Sequence, residues 1–445
     1  MGGGWVAHRS PPTPIHARNL VAPYPLPPLR SLPGYVPWLS MWIGNHPSGQ
    51  SRVSVEHPEV PARLLFLDNL KVLLIVLVIG LHAAQPYGPA DWWYVEGDAG
   101  LDWLPGLTAM VGTFLMSLFL FVSGYFVPSV FDRKGARGFL LDRFTRFGPL
   151  ILVGFFGIVA VLMYAYYTNF RGYPPMTFPS YYWDVYLGQG EQPADWSGPI
   201  WPDRQFGHLW FIQHLLVYSL IYTLWRWVSA RSTTTTSRVA APAPPGTLAI
   251  VGFIGFLAAL TFMIRLRYPV DTWVPLLEFI QAEPADLAHQ ASFFFLGALA
   301  YRRGWLTAIP ATTGYRWLAV GTALATTNVI IHRQLAEVYA AGGPTMGSLI
   351  WSVVETVMCV SLSIGLIVLF REHARRSSGL LLGAAALTFT VYLIHVPIVV
   401  ALQYLAAAVA FGPLPAVVGV SVLGVAVSFA LAWLIKKTPY LKRLL

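Results

Sequence analysis

From residue 64 onward the chain is a series of apolar runs, most of them about twenty residues long, separated by more polar segments. No other feature restricts the fold so tightly. The hydrocarbon core of a bilayer, ~30 Å thick, is crossed by ~20 helical residues, and in lipid the backbone satisfies its own polar groups only in helices or closed barrels. Ten runs qualify, at 67–87, 107–130, 146–168, 207–228, 247–265, 286–302, 314–332, 346–370, 381–410 and 414–435. The expected fold is an all-α integral membrane protein with about ten transmembrane helices. Only 11% of the 445 residues are charged and 56% are hydrophobic, too little charge to cover a water-facing surface. The net charge of +9 would suit nucleic acid. The basic residues are instead scattered between apolar runs and form no single patch, which excludes that partner. A single cysteine, Cys359, excludes an intrachain disulfide and a cysteine metal site.

Residues 1–60 differ from the rest: they are Pro-rich and lack a long apolar run. They read as a mostly disordered N-terminal tail without a signal peptide, with Met41 an alternative start. Residues 61–445 form the membrane domain. The Ser/Thr- and then Ala/Pro-rich stretch from Arg231 to Pro245 reads as a flexible loop. Lys and Arg set the orientation. With both termini in the cytoplasm, Arg133, Lys134, Arg137, Arg143, Arg146, Arg371, Lys436 and Lys437 all fall inside, and only Arg171, Arg204, Arg265, Arg267 and Arg333 fall outside. The outer loops are then the acidic and aromatic ones. The first carries Asp91, Trp92, Trp93, Glu96, Asp98 and Asp102. The longest, 169–206, carries Tyr181, Tyr182, Trp183, Trp196 and Trp201, suited either to stacking on sugar rings or to interfacial anchoring.

Ionisable groups inside a span are expensive and usually functional. The first run holds Asp68 and Lys71, then His82 after ten intervening residues. At 100° per residue, eleven steps bring His82 to within roughly 20° of Lys71, about 16 Å deeper. A cation thus guards one mouth of a cleft while a titratable imidazole waits near mid-membrane. A neutral imidazole takes a proton from a hydroxyl at physiological pH; the bland alternative is a histidine that only hydrogen-bonds a neighbouring helix. Arg143 and Arg146, spaced i,i+3, share a helix face, and such a pair suits phosphate groups or simply marks the cytoplasmic side. Ser123-Gly124 fits close helix approach. His208 and Trp210 open the fourth run and fit either an acceptor site or an aromatic belt. Glu355, deep in an apolar run, needs a partner or a proton, and is either a structural node or part of a cavity. Tyr392 and His395 are neighbours on one helix face. None of the histidines has metal-ligand spacing with carboxylates, so no metal is expected.

Taken in order, these segments carry a resemblance. Arg63-Leu64-Leu65-Phe66-Leu67-Asp68-Asn69-Leu70-Lys71 followed by His82, then Phe119 to Phe126, Arg143-x-x-Arg146, Gly207-His208-Leu209-Trp210-Phe211 and Val391 to His395 together resemble the acyltransferase 3 family of integral membrane acyltransferases. The glucan-biosynthesis branch, which succinylates periplasmic glucans, is the most similar. The ending Thr438-Pro439-Tyr440-Leu441-Lys442 is also similar to that branch. The resemblance covers about Arg63 to the C-terminus. It implies a catalytic histidine, His82, with a basic residue, Lys71, ten positions away. Many relatives have Arg there, so Lys71 keeps the charge and loses the bidentate fork.

The resemblance implies an enzyme of the cytoplasmic membrane that moves an acyl group from cytoplasmic acyl-CoA, a co-substrate and not a bound cofactor, to a hydroxyl of a carbohydrate-like acceptor outside. In that scheme His82 and Lys71 are catalytic, and Arg143 and Arg146 bind the donor. Asp68, Ser123, His208, Trp210, Glu355, Tyr392 and His395 line the cavity or meet the acceptor. A proton-coupled transporter or flippase is the rival reading, disfavoured by the lack of an internal repeat. A non-catalytic scaffold would leave the Lys71/His82 stripe unexplained.

Overall fold

The computed structural model describes residues 64–88, 93–97, 100–198, 200–232, 244–276 and 280–438. The expected tail at 1–60 lies outside the described residues, as do Asp91, Trp92 and Asp98 and most of the 231–245 loop. Each of the ten apolar runs is helical. The helices are α1 (Leu65–Ala84), α2 (Leu104–Val153), α3 (Ala160–Phe170), α4 (Trp210–Ser232), α5 (Thr247–Arg265), α6 (Pro284–Arg303), α7 (Ala311–Ala340), α8 (Met346–His373), α9 (Gly379–Ala408) and α10 (Pro413–Lys437).

Six stretches among the described residues are long and apolar enough to cross a membrane: Leu65–Tyr87, Leu104–Phe170, Thr247–Arg265, Met346–His373, Gly379–Ala408 and Pro413–Lys437. The second is 67 residues long, because α2 runs through a π turn at Gly154–Val159 into α3. It bends at Gly135, whose φ of 67° and ψ of 171° are not helical. Glycine alone adopts that backbone without penalty, so one continuous stretch carries two apolar runs. Helices α4, α6 and α7 are not among the six stretches and carry polar residues such as His214, Asp286, His289 and Arg333.

Among the described residues, a two-stranded hairpin departs from the all-helical expectation. Val274–Leu276 (β1) and Ile280–Ala282 (β2) pair antiparallel, with Pro275 opposite Gln281. Gln281 pins this hairpin: its side chain accepts from the Phe206 amide at 2.6 Å, its amide donates to Gln213 at 3.1 Å, and its carbonyl accepts from His214 Nε2 at 3.2 Å. The backbone groups of a non-helical segment are tolerated at such a place only when the protein supplies partners.

Helix α1 packs on α9, α10 and α2. Leu67, Leu70, Leu74 and Val78 form its buried stripe, at the i, i+3, i+7 spacing of one helix face. Between apolar helices in lipid the attraction is van der Waals contact and not exclusion from water. Close approach therefore matters most. Where α2 meets α6, a Cβ on Gly124 would lie 2.0 Å from the Phe294 carbonyl oxygen, and one on Gly297 would lie 2.1 Å from that of Phe121. The Ser123-Gly124 step is thus a helix-contact device, with Ser123 half-buried beside it.

Candidate functional site

His82 sits in the last turn of α1 and is held from two sides. Its Nδ1 lies 2.9 Å from the Val78 carbonyl oxygen and 3.2 Å from His395 Nε2. His395, fully buried on α9, has its own Nδ1 2.7 Å from the Tyr392 carbonyl. A carbonyl only accepts, so Nδ1 carries the proton on both rings. His395 Nε2 then offers a lone pair to the His82 Nδ1–H, which it shares with Val78. The lone pair of His82 is left on Nε2. This is the relation of a base to its orienting group.

Two more contacts fix the ring. Trp93 stacks on it, with centroids 5.4 Å apart and planes at 28°, and is itself buried. Its indole N–H donates at 2.8 Å to Gln403, whose amide donates to the His82 carbonyl at 2.8 Å. Trp93, which the sequence places in the first outer loop, is buried against the His82 ring. His208, in the short turn Gly207–Leu209, has its ring 5.5 Å from that of His395. Its Nε2 donates to the Leu393 carbonyl at 3.0 Å, and its Nδ1 is buried with no partner among the described residues. The Tyr392 hydroxyl donates to the His208 carbonyl. Residues from α1, α9 and the turn before α4 therefore meet at one point.

His82 lines a cavity of about 1330 Å³, together with Trp93, His208, Trp210, Trp273, Asp286 and Glu355. The cavity extends past Arg171, Arg204, Asp102 and Arg333, residues of the segments read from sequence as outer loops. A smaller adjoining cavity shares Thr113, Trp210, Trp273, Glu283, Asp286 and Glu355 with it and adds Ser117 and His289. Trp210 and Trp273 stand 6.1 Å apart, edge to face. Glu355 has the partner its burial demands: Arg265 donates to it at 2.5 Å, and Arg265 also reaches Ser352 at 3.3 Å. Arg265, expected in an outer loop, is completely buried. Glu355 is thus both structural node and cavity wall.

The other expected site residues lie elsewhere. Lys71 pairs with Asp68 at 2.7 Å, one turn away, and stands 5.6 Å from the Phe126 ring. Asn69 between them donates to the Ala374 and Arg376 carbonyls at 2.9 and 3.0 Å, tying this end of α1 to the α8–α9 connection. Arg143 lies over Phe139 and Phe147, and Arg146 over Phe389. Lys71, Asp68, Ser123, Arg143, Arg146, Tyr392 and His395 are not among the residues lining the cavity. The aromatic 169–206 segment largely serves itself. Arg171 pairs with buried Asp203 at 2.6 Å and is sandwiched by Tyr166 and Trp196, while Trp196 packs on Tyr173 and Trp201. Burial raises the Asp203 carboxyl, and the Arg171 guanidinium opposes that shift. Sequence reasoning missed Trp273, Glu283, Asp286, His289 and Gln403. Asp286 and His289, at i,i+3 in the first turns of an apolar run, were the available signal.

The profile of the acyltransferase domain family matches residues 64–433. The chain belongs to the acyltransferase 3 family. It is similar to glucans biosynthesis protein C of Salmonella schwarzengrund and of Salmonella typhi. Each is 26% identical over 280 residues, covering 60% of this chain. The match spans 65% of the length of these relatives. No solved structure matches. Membership of the acyltransferase 3 family fits the multi-pass helical architecture.

Proposed function

We propose that the protein is a membrane-embedded O-acyltransferase that moves an acyl group from cytoplasmic acyl-CoA to a hydroxyl of a glycan acceptor on the other side of the membrane. The observation that carries this reading is the hydrogen-bonded His82–His395 pair at the wall of a large chamber. With Nδ1–H committed to Val78 and His395, Nε2 of His82 is the nitrogen free to act as general base. It takes the acceptor hydroxyl proton as the oxygen attacks the thioester carbonyl. The C–O bond forms, the C–S bond breaks, and the thiolate recovers the proton from the imidazolium. His395 steadies that imidazolium by accepting from Nδ1–H.

The chamber suits a polyhydroxylated acceptor: tryptophan rings offer stacking faces, and Asp286 and Glu283 accept hydrogen bonds from hydroxyls. The donor's phosphates meet Arg143 and Arg146, with Lys71 and Asp68 at the same end of α1. In this reading all ten helical runs span the cytoplasmic membrane with both termini inside. The relatives' name, glucans biosynthesis protein C, supports a glucan as acceptor.

The deciding experiment is transfer of labelled acyl groups by protein purified in lipid nanodiscs, with acceptor mass read by mass spectrometry. His82→Gln lowers turnover by at least about 10²-fold while the protein stays monodisperse. Wild-type turnover in that variant removes the base. An acceptor that crosses the membrane without gaining mass replaces the enzyme with a transporter.

A further inference from the structure

One group of cations lies apart from the chamber. Arg146, on α2, places its guanidinium 4.9 Å over the ring of Phe389 on α9. Arg143 lies 4.9 Å from Phe139 and 5.5 Å from Phe147, and Phe147 packs against Phe389 at 5.8 Å. Lys436, in the last turn of α10, donates from Nζ to the carbonyl of Ala386, one turn from Phe389. Segments nearly 300 positions apart in sequence thus converge on a single turn of α9.

The convergence is electrostatically unfavourable as it stands. None of the three cations has an ion-pair partner among the described residues. The neighbouring carboxylate, Asp142, is held by Lys134 at 2.5 Å. Arg143 Nε is buried with no hydrogen-bond partner. Aromatic faces stabilise the two guanidinium planes from above and leave in-plane N–H edges unoccupied, the edges with which arginine grips phosphate oxygens. A helix C-terminus accounts for one basic residue. It does not account for bringing that residue within electrostatic reach of Arg146 on another helix. Lys437 shows the ordinary case: it is exposed and lies over the ring of its own helix neighbour Trp433.

We infer that Arg143, Arg146 and Lys436 form one phosphate-binding site, and that Lys436 supplies its third charge to the phosphates of the acyl donor. The inference rests on the acyl-CoA reading above and adds a residue from the far end of the chain. The phosphate carries the compensating negative charge that none of the described residues provides. The same chemistry would fit a phospholipid headgroup, and the two sources separate experimentally.

The test compares acetyl- and succinyl-CoA with the corresponding S-acyl pantetheines, which keep the thioester and lack the nucleotide phosphates. Lys436→Gln keeps a donor for the Ala386 carbonyl and loses the charge. It should raise KM for the acyl-CoA about tenfold, the scale of one charge-assisted hydrogen bond, and leave kcat/KM for the acyl-pantetheine within twofold. Lys436→Arg restores the acyl-CoA KM, and Lys437→Gln leaves both donors unchanged. An equal loss with both donors overturns the inference. If that equal loss occurs only in nanodiscs containing anionic phospholipid, the site belongs to a lipid headgroup. Wild-type protein whose kcat/KM for the acyl-pantetheine equals that for the acyl-CoA also overturns it. Wild-type protein that uses neither donor defeats the donor reading itself.

Discussion

His82 and His395 divide one task between two rings. His395 touches no cavity surface, so its effect passes through the proton on His82 Nδ1. Replacing it by Phe keeps a ring of similar shape and removes the acceptor. The expected outcome is a kcat lower by about 10-fold or more with acceptor KM unchanged, the pattern of an interaction that strengthens in the transition state. Steady-state kinetics over both substrates checks it, and a change confined to KM would reassign His395 to acceptor binding. At this scale the sequence was partly legible. His82 and His395 were each noticeable as ionisable groups in apolar runs. Their contact across 313 positions was not, because helical periodicity relates residues within a helix and says nothing of which face meets which neighbour.

Among the elements, α2 carries the most conflicting demands. It contains Pro128 and Pro149, bends at Gly135 and leaves the α-helical pattern at Gly154–Val159. Prolines and π turns free backbone groups that neighbouring helices must satisfy. Its contact with α6 depends on two glycines that admit no side chain. Gly124→Ala forces a methyl against the Phe294 carbonyl and should cost about 1–3 kcal/mol, the usual range for overpacking. Ser123→Ala, half-buried on the adjacent position, should cost well under half of that. Thermal unfolding in detergent followed by tryptophan fluorescence compares the two, and equal melting temperatures would mean that α2 and α6 separate without penalty. The small-residue signal was readable from Ser123-Gly124. The β1–β2 hairpin was not, because three-residue strands inside a region scanned for long apolar helices leave no periodic trace.

For the molecule as a whole, the chamber and the cationic cluster lie in different neighbourhoods. The chamber reaches Arg171, Arg204 and Arg333, whereas Arg146 and Lys436 gather at one turn of α9. The proposed transfer, with a donor from one side and an acceptor from the other, would use that separation. Cys359 is the sole cysteine and is buried, so a Cys359→Ser background gives a clean labelling scan. Single cysteines at Lys134 and Arg375 should react with a membrane-impermeant maleimide only after the membrane is opened, and cysteines at Glu96 and Trp183 should react in intact spheroplasts. Labelling of both pairs from the same side would reverse the proposed topology.

The sequence by itself determined the membrane class, the positions of the ten helical runs and the family, because apolar length, positive charge at helix ends and short ordered motifs are all properties of contiguous residues. Only the tertiary structure decided that Trp93 returns to cover His82, that Arg265 is the partner of Glu355, and that Lys436 joins Arg146. Those pairings depend on helix rotation and crossing, which follow from how side chains of distant segments fill one another's gaps, and no local pattern encodes that.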